Sequence, residues 1–153
     1  MQQIAILLRR FPFIGWFATQ LYRLTKPQFT AGVVGIVFNA QGHVLLVEHV
    51  FHAKYPWGLP GGWVDRGEPL DTGVARELHE ELQLDVTVQD VVYVEIVRKY
   101  RNHIDIAYLC EAHNSVGNLS TELLRYRWTP LDDLPVIPAF HRTAIEHALL
   151  RRT

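Results

Sequence analysis

Residues 62–84 read GWVDRGEPLDTGVARELHEELQL, and this stretch decides how the rest of the chain is interpreted. From Pro69 to Leu82, valine and leucine recur at every fourth position, and there is no run of β-branched residues. This periodicity predicts an amphipathic helix with one apolar stripe against a core. Pro69 suits the first position of such a helix. The turn residues Pro60-Gly61-Gly62 precede the stretch, so the helix is expected to follow a loop.

The predicted helix carries three carboxylates on one face. Glu77, Glu80 and Glu81 are spaced i, i+3 and i+4, so their side chains project together. Like charges at this spacing destabilise a helix by roughly 0.2–0.5 kcal/mol per pair, so helix stability does not explain them. Hard oxygen ligands gathered at one point are typical of Mg²⁺ and Mn²⁺ sites. The pattern therefore predicts a site for a divalent cation.

The spacing of charged and glycine residues in this stretch resembles the Nudix box. The matching positions are Gly62, Glu68, Arg76, Glu77, Leu78, Glu80, Glu81 and Leu84. The departure is Gln83, where the family pattern has glycine. A glycine there supplies a left-handed cap, so a different residue is expected to cost about 1 kcal/mol without removing a metal ligand.

The resemblance implies a fold and a reaction. It implies an α+β fold, an α/β/α sandwich with a mixed β-sheet between helices, over residues 28–153. The activity it implies is Mg²⁺- or Mn²⁺-dependent hydrolysis of a phosphoanhydride in a nucleoside diphosphate linked to another group. Two alternatives stay open: a (d)NTP pyrophosphatase that releases pyrophosphate, and a non-catalytic module that binds nucleotide or docks on a membrane.

Roles for individual residues follow from the same resemblance. It implies that Glu77, Glu80 and Glu81 are metal ligands, with Glu68 as a further ligand or an ordering partner. It places Arg76 beside a box carboxylate, where it fixes the orientation of that side chain. A late-loop carboxylate completes the site in many members, and Glu122 is the preferred candidate. Glu80, Glu122 and Arg76 are thus the expected catalytic residues.

The segment before the box offers candidates for substrate contact. Residues 50–59 form a predicted loop with aromatic and basic side chains, which can stack on a base and contact phosphate. The alternative is that these aromatic side chains pack on the core and that the basic ones are solvated. The substrate-binding candidates are Gly62, His49, His52, Lys54 and Trp57.

Residues 1–27 differ from the remainder of the chain. Apolar residues follow a helical stripe, basic residues flank it, and the first acidic residue is Glu48. The longest uncharged run, Phe11–Tyr22, is shorter than the ~20 residues of a membrane-spanning helix. Two interpretations stay open for this extra amphipathic helix: packing on its own domain or on a second subunit of a homodimer, and peripheral contact with an anionic membrane.

The other segments predict strands and one further helix. Thr30–Asn39 and His43–His49 predict a hairpin around Gln41-Gly42. Later strands are expected over Val86–Lys99, Ile104–Ala112 and Leu123–Thr129, and a last helix from Pro138.

Composition limits the remaining possibilities. The 153 residues suit one domain, and a net charge of −1 predicts no general attraction to nucleic acid. A single cysteine, Cys110, excludes an internal disulfide and predicts a buried thiol. This fits a cytoplasmic protein acting on a small nucleotide substrate, with peripheral membrane attachment as the open alternative.

Overall fold

The computed structural model describes residues 12–97 and 102–152. The N-terminal end of the predicted first helix and the last residues of the strand predicted to reach Lys99 lie outside them. The elements are α1 (Pro12–Leu24), β1 (Thr30–Val37), β2 (Val44–His49), β3 (Trp57–Gly58), β4 (Gly61–Trp63), α2 (Leu70–Leu82), β5 (Val86–Ile96), β6 (His103–Ala112), β7 (Leu123–Thr129), a 3₁₀ turn (Leu131–Asp133) and α3 (Ala139–Arg152).

The strands form two sheets. The first has the order β4-β1-β6-β5, in which β1 and β6 run parallel while the other neighbours are antiparallel. The second is antiparallel with the order β3-β2-β7. β1 and β2 are rich in buried aliphatic side chains, as expected for strands covered on both faces.

Helices α2 and α3 contribute to two separate hydrophobic clusters. Val74, Leu78 and Leu82 of α2 join Val33 and Leu45 in the first. The second cluster takes its helical members from α3, namely Phe140, Ala144, Ile145 and Ala148. Side chains alternate along β1, so Val33 lies in one cluster and Ile36 in the other. The predicted α/β/α sandwich with a mixed sheet is confirmed, and Cys110 is buried as expected.

The predicted hairpin between the first two strands is wrong. β1 pairs with β4 and β6, whereas β2 pairs with β3 and β7, and a single bridge between Phe38 and Val44 links the two segments. Because β1 already has a neighbour on each edge, it has no edge left for β2. The turn itself forms, with the Asn39 side chain accepting hydrogen bonds from the backbone of Gln41 and His43.

Helix α2 begins one residue later than predicted and ends as the box requires. Pro69 is the N-cap residue, with an extended backbone, and Leu70 is more exposed than the other residues of the stripe. Gln83 adopts the left-handed conformation, with φ 51° and ψ 36°, and its N–H reaches the carbonyl of His79. Gln83, which stands where the Nudix box has glycine, therefore adopts the backbone geometry that glycine favours.

Helix α1 is formed as predicted over its described part, but most of its large apolar side chains are exposed. Trp16, Phe17 and Leu24 are 64%, 65% and 76% exposed. No residue of α1 belongs to either hydrophobic cluster of the described chain. This exposed surface is compatible with contact to a second subunit or to a membrane. None of the helices within the described ranges is long and apolar enough to cross a membrane.

Candidate active site

The turn before α2 allows its carboxylates to approach the sheet. Gly61 has φ +147°, and a Cβ atom there would lie 2.1 Å from the carbonyl oxygen of Val33. A Cβ on Gly62 would lie 2.5 Å from Oε2 of Glu77. Both distances are too short for any other residue without a shift. The two glycines therefore let strand β4 run against β1 and against the helix at once.

Glu81 is a nearly buried carboxylate in this region. Its exposure is 6%, and Oε2 accepts a hydrogen bond of 2.9 Å from the backbone N–H of Gly61. Burial raises its pKa to about 8, and the charges of Glu77 and Glu122 act in the same direction. Burial is also the main cause of the raised pKa of Glu77, opposed by the hydrogen bond from Arg76.

Arg76 organises a second group of carboxylates. Its guanidinium donates to both oxygens of Glu68, from Nε at 2.8 Å and from Nη2 at 3.0 Å. Nη1 donates to Glu77 at 2.8 Å and to Glu80 at 3.1 Å, and Nη2 also donates to the carbonyl of Trp63. These bonds lower the pKa of Glu68 to about 2 and raise that of Arg76. One planar cation thus fixes the orientation of several box carboxylates.

The late loop brings Glu122 towards the end of α2. The N–H of Ser120 donates to the carbonyl of Glu81, and the N–H of Val50 donates to the carbonyl of Glu122, both at 2.9 Å. Glu122 is exposed, yet its charge contributes to the raised pKa of Glu77 and of Glu81. The loop therefore adds a third carboxyl group to the two that α2 supplies.

The predicted substrate-binding residues lie in different environments. His49 is half-buried, its ring lies 4.5 Å from that of His52, and burial lowers its pKa to about 4. Lys54 is exposed, with Nζ 5.1 Å from the ring centre of Tyr55. Trp57 is half-buried and packs against the second cluster. The structure brings His49 and His52 together, whereas part of the Trp57 side chain packs on the hydrophobic core.

Several contacts of the segment before the Nudix box were not predicted. Arg125 and Arg127 of β7 lie over the Trp57 ring, 5.5 and 5.0 Å from its centre. His141 of α3 accepts a hydrogen bond from the N–H of Leu59, two residues before Gly61. No local sequence signal marks these contacts, because they join segments far apart in the chain. Gly61 is different: the double glycine at 61–62 was a signal for a close approach.

The donor set suits a divalent cation, although it is not assembled as a ligand cluster. Glu77, Glu81 and Glu122 offer hard oxygen atoms whose mutual repulsion and burial raise the pKa of the first two, which a cation would relieve. Within residues 12–97 and 102–152, no three histidine, cysteine or acidic side chains converge as in a metal site. Arg76 accounts for part of this, since it holds Glu77 and Glu80.

Comparison with known proteins identifies the family. The family model described as the NUDIX domain matches residues 28–149, which is most of the chain. The chain belongs to the Nudix hydrolase family. It is therefore a Nudix-type pyrophosphohydrolase, an enzyme class that cleaves derivatives of nucleoside diphosphates and generally uses divalent metal ions.

Three relatives of this Nudix hydrolase illustrate the range of similarity. A MutT-like protein of Streptomyces ambofaciens is 28% identical over 110 residues, 72% of this chain and 70% of the relative. The NAD-capped RNA hydrolase NudC of Vibrio vulnificus is 30% identical over 122 residues, 77% of this chain but only 44% of the relative. An ADP-ribose pyrophosphatase of Streptococcus suis is 27% identical, with a TM-score of 0.67 over 81% of this chain and 92% of that one.

Proposed function

We propose that this Nudix hydrolase cleaves the phosphoanhydride of a nucleoside diphosphate linked to another group, using Mg²⁺ or Mn²⁺. The observation that carries the proposal is the buried carboxylate of Glu81, which lies near Glu77 and Glu122 and whose hydrogen bond in the described chain comes from the Gly61 N–H, while the Arg76 guanidinium binds Glu68, Glu77 and Glu80. Two relatives, one named an ADP-ribose pyrophosphatase and the other an NAD-capped RNA hydrolase, support this substrate class.

The chain's own residues have distinct proposed roles. Glu77, Glu80 and Glu81 would hold a divalent cation, with Glu68 as a further ligand or an ordering partner. Such a cation supplies positive charge to phosphate oxygens and lowers the pKa of water. Arg76 fixes the positions of Glu68, Glu77 and Glu80 through its hydrogen bonds, so the carboxylates need little reorganisation when substrate binds.

Glu122 is proposed as the general base. It is an exposed carboxylate on a loop, so it can take a proton from water and release it to solvent. Its backbone is fixed by the hydrogen bond from Val50, which keeps the loop next to β2. His49, His52 and Lys54, at the end of β2 and in the loop after it, are proposed to contact the phosphates or the base of the nucleotide, together with the exposed edge of Trp57 and the backbone at Gly62.

We further propose that residues 28–153 form the catalytic domain and that residues 1–27 are a separate helical segment. All members of the two hydrophobic clusters of the described chain lie within residues 28–153. The protein is proposed to act in the cytoplasm on a small nucleotide and not on a general nucleic-acid surface, in keeping with its net charge of −1.

A substrate panel tests the reaction. Purified enzyme is incubated with nucleotide sugars, dinucleotides, ADP-ribose and (d)NTPs, with Mg²⁺ or Mn²⁺ and with a chelator as control, and the products are separated by chromatography. The proposal expects a nucleoside monophosphate and a phosphorylated second product from a nucleoside diphosphate derivative. Turnover of (d)NTPs alone, with release of pyrophosphate, would instead support the alternative pyrophosphatase.

Glu81→Gln is the sharpest variant for the metal assignment. It removes a charged ligand and keeps the size of the side chain, and we expect kcat to fall by roughly 100-fold or more. Glu146→Gln, at an exposed position of α3, is the matched control and should retain full activity. Wild-type turnover in Glu81→Gln would exclude this residue as a metal ligand, and circular dichroism verifies that the fold is kept.

A further inference from the structure

The exposed face of α1 is unusual for a helix in water. Phe13, Trp16, Phe17, Leu21 and Leu24 recur at a helical period, so they form one continuous stripe on this 13-residue helix. Each of these five side chains is between 58% and 76% exposed. Scattered apolar side chains on a surface need no explanation, but a continuous stripe of large ones marks a surface that contacts something.

Positive charge surrounds the C-terminal end of this stripe. Arg23 and Lys26 lie on either side of Leu24 in the sequence, and they line an open cavity of about 490 Å³ together with Arg66. The uncharged polar side chains of Gln20 and Gln28 line the same cavity, and no acidic residue of the described chain does. The chain carries no aspartate or glutamate before Glu48. The stripe and the cavity thus combine exposed apolar surface with three cations.

We propose that residues 12–28 bind the enzyme to an anionic phospholipid surface. The helix lies in the plane of the interface, with the apolar stripe in the region between headgroups and acyl chains. Arg23, Lys26 and Arg66 hold lipid phosphate groups in the cavity that they line. Trp16 suits this location, because indole combines a large apolar body with an N–H donor for the wetter headgroup layer.

The charge distribution favours a lipid surface over a second copy of the chain. A twofold contact between two α1 stripes would place the same surface of both copies together. Whether the two helices run parallel or antiparallel, Arg23 and Lys26 would then face a segment that carries no acidic side chain to compensate them. An anionic membrane attracts these cations instead, each of them within the Debye length of the surface.

Arg66 extends the interaction to the active-site loop. It lies in the turn between Trp63 and Glu68, where the Asp65 N–H donates to Oε2 of Glu68 at 3.0 Å. Arg66 is two positions before Glu68, the carboxylate that Arg76 orients, so a phosphate bound to Arg66 would contact the same turn. Membrane binding would place the loop over residues 62–68 at the headgroup layer, with the catalytic domain fixed in one orientation relative to the bilayer.

Vesicle binding of the full-length protein tests the proposal without any turnover. Sedimentation is measured with phosphatidylcholine vesicles and with vesicles of phosphatidylcholine and phosphatidylglycerol in equal parts. We expect strong binding to the mixed vesicles, weak binding to the neutral ones, and loss of binding as salt is raised. Because no substrate is present, this result does not depend on the proposed reaction. Absence of binding to the mixed vesicles would overturn the proposal.

Two double variants separate the apolar and electrostatic contributions. Trp16→Ser with Phe17→Ser should weaken binding to the mixed vesicles by roughly 100-fold or more, since two large apolar side chains no longer leave water. Arg23→Gln with Lys26→Gln should weaken it by roughly 30-fold, about fivefold for each cation near an anionic surface. Arg66→Gln should weaken it by about fivefold.

Val136→Ser and Arg151→Gln are matched controls, since both residues are exposed far from α1 in the chain, and neither should affect binding. Size-exclusion chromatography with light scattering is run on the same proteins. If the wild-type chain is a dimer and Trp16→Ser with Phe17→Ser converts it into a monomer, the stripe binds a second copy and the membrane assignment is wrong. Equal binding of wild type and both double variants to the mixed vesicles would also contradict it.

Discussion

Glu81 is buried beside two other carboxylates, and the hydrogen bond from the Gly61 N–H stabilises only part of its charge. Burial of a carboxylate without a full set of hydrogen-bond partners is unfavourable, so Glu81 lowers the stability of the folded state. The raised pKa means that the carboxyl group holds its proton near neutral pH unless positive charge arrives. The burial of Glu81 therefore suits the binding of a cation and does not stabilise the fold.

Arg76 provides a test of orientation at the residue scale. Arg76→Lys keeps the charge but cannot span Glu68, Glu77 and Glu80, because an ammonium lacks the planar set of donors. We expect activity to fall by about 10–100-fold, the usual effect of removing a partner that orients metal ligands. Steady-state kinetics against metal concentration measures it, with Arg142→Lys on α3 as the control. Unchanged kinetics would show that orientation by Arg76 is dispensable.

His141 provides a test of pH dependence. Burial lowers its pKa from 6.5 to about 3, so between these values the unfolded chain binds a proton that the folded chain does not. Stability from this residue is present above pH 6.5 and is lost as the pH falls towards 3. His141→Asn keeps an acceptor near the Leu59 N–H and removes the titration.

Between pH 7 and pH 5, we expect wild type to lose about 1–2 kcal/mol more unfolding free energy than His141→Asn. Urea unfolding at both pH values measures the difference. His147→Asn, at an exposed position of the same helix, should lose as much as wild type. An equal loss in wild type and His141→Asn would show that the buried imidazole does not control acid stability.

At the scale of the element, the end of α2 shows how a non-glycine residue replaces the box glycine. The Gln83 backbone is left-handed, which costs a residue with a Cβ about 1 kcal/mol. Its side chain offsets this cost, since Oε1 accepts a 3.1 Å hydrogen bond from the N–H of Asn118. Its carbonyl accepts a second bond from the Asn114 side chain, so the helix end is tied to the loop that follows β6.

Gln83→Gly and Gln83→Ala separate these contributions. Glycine removes the backbone cost but also the side-chain bond, so we expect its unfolding free energy to lie within about 1 kcal/mol of wild type. Gln83→Ala loses the side-chain hydrogen bond but retains the cost of a left-handed backbone with a Cβ atom. Its unfolding free energy should therefore be about 1 kcal/mol lower than that of Gln83→Gly. Urea unfolding measures both. Equal stability of the two variants would mean that the left-handed backbone carries no cost here.

At the scale of the whole molecule, the catalytic domain is packed without help from α1. Neither hydrophobic cluster of the described chain includes a side chain from that helix, and both are centred on β1, β2 and β6 with their covering helices. Stability and catalysis are therefore expected to reside in residues 28–153, while α1 serves contact with another surface.

Deletion of residues 1–26 tests this division. We expect the shortened protein to keep its unfolding free energy within about 1 kcal/mol and its hydrolysis rate within about twofold of wild type. Urea unfolding and the substrate assay measure the two quantities. A large loss of either would place α1 inside the catalytic unit and contradict the proposed boundary near residue 28.

Part of this architecture could be predicted because its signals are local. The stripe of Val74, Leu78 and Leu82, the spacing of the box carboxylates and the glycines at 61–62 all lie within one short segment. Helical periodicity and turn chemistry act over a few residues, so such segments show their structure in the sequence. The helix α2 and the family followed from them, and the metal-binding role of the carboxylates stays a prediction.

Strand pairing could not be predicted in the same way. The hairpin expected between β1 and β2 does not form, because β6, some seventy residues later, takes the parallel edge of β1, with Thr30 opposite His103. Pairing depends on which edges are free once all strands are placed, and no local pattern records this. The contact of His141 with Leu59 is equally non-local.

The sequence by itself determined the Nudix box, its helix and the chemical class of the site. The tertiary structure decided which partner each carboxylate has. Arg76 forms hydrogen bonds with Glu68, Glu77 and Glu80, whereas Glu81 is buried and accepts a hydrogen bond from Gly61. The charge of Glu122, on a loop distant in sequence, contributes to the raised pKa of Glu81. The tertiary structure also decided that the stripe of α1 faces outward. The physical reason is that charge, burial and exposure depend on which distant segments meet, whereas residue spacing only fixes which side chains share a face.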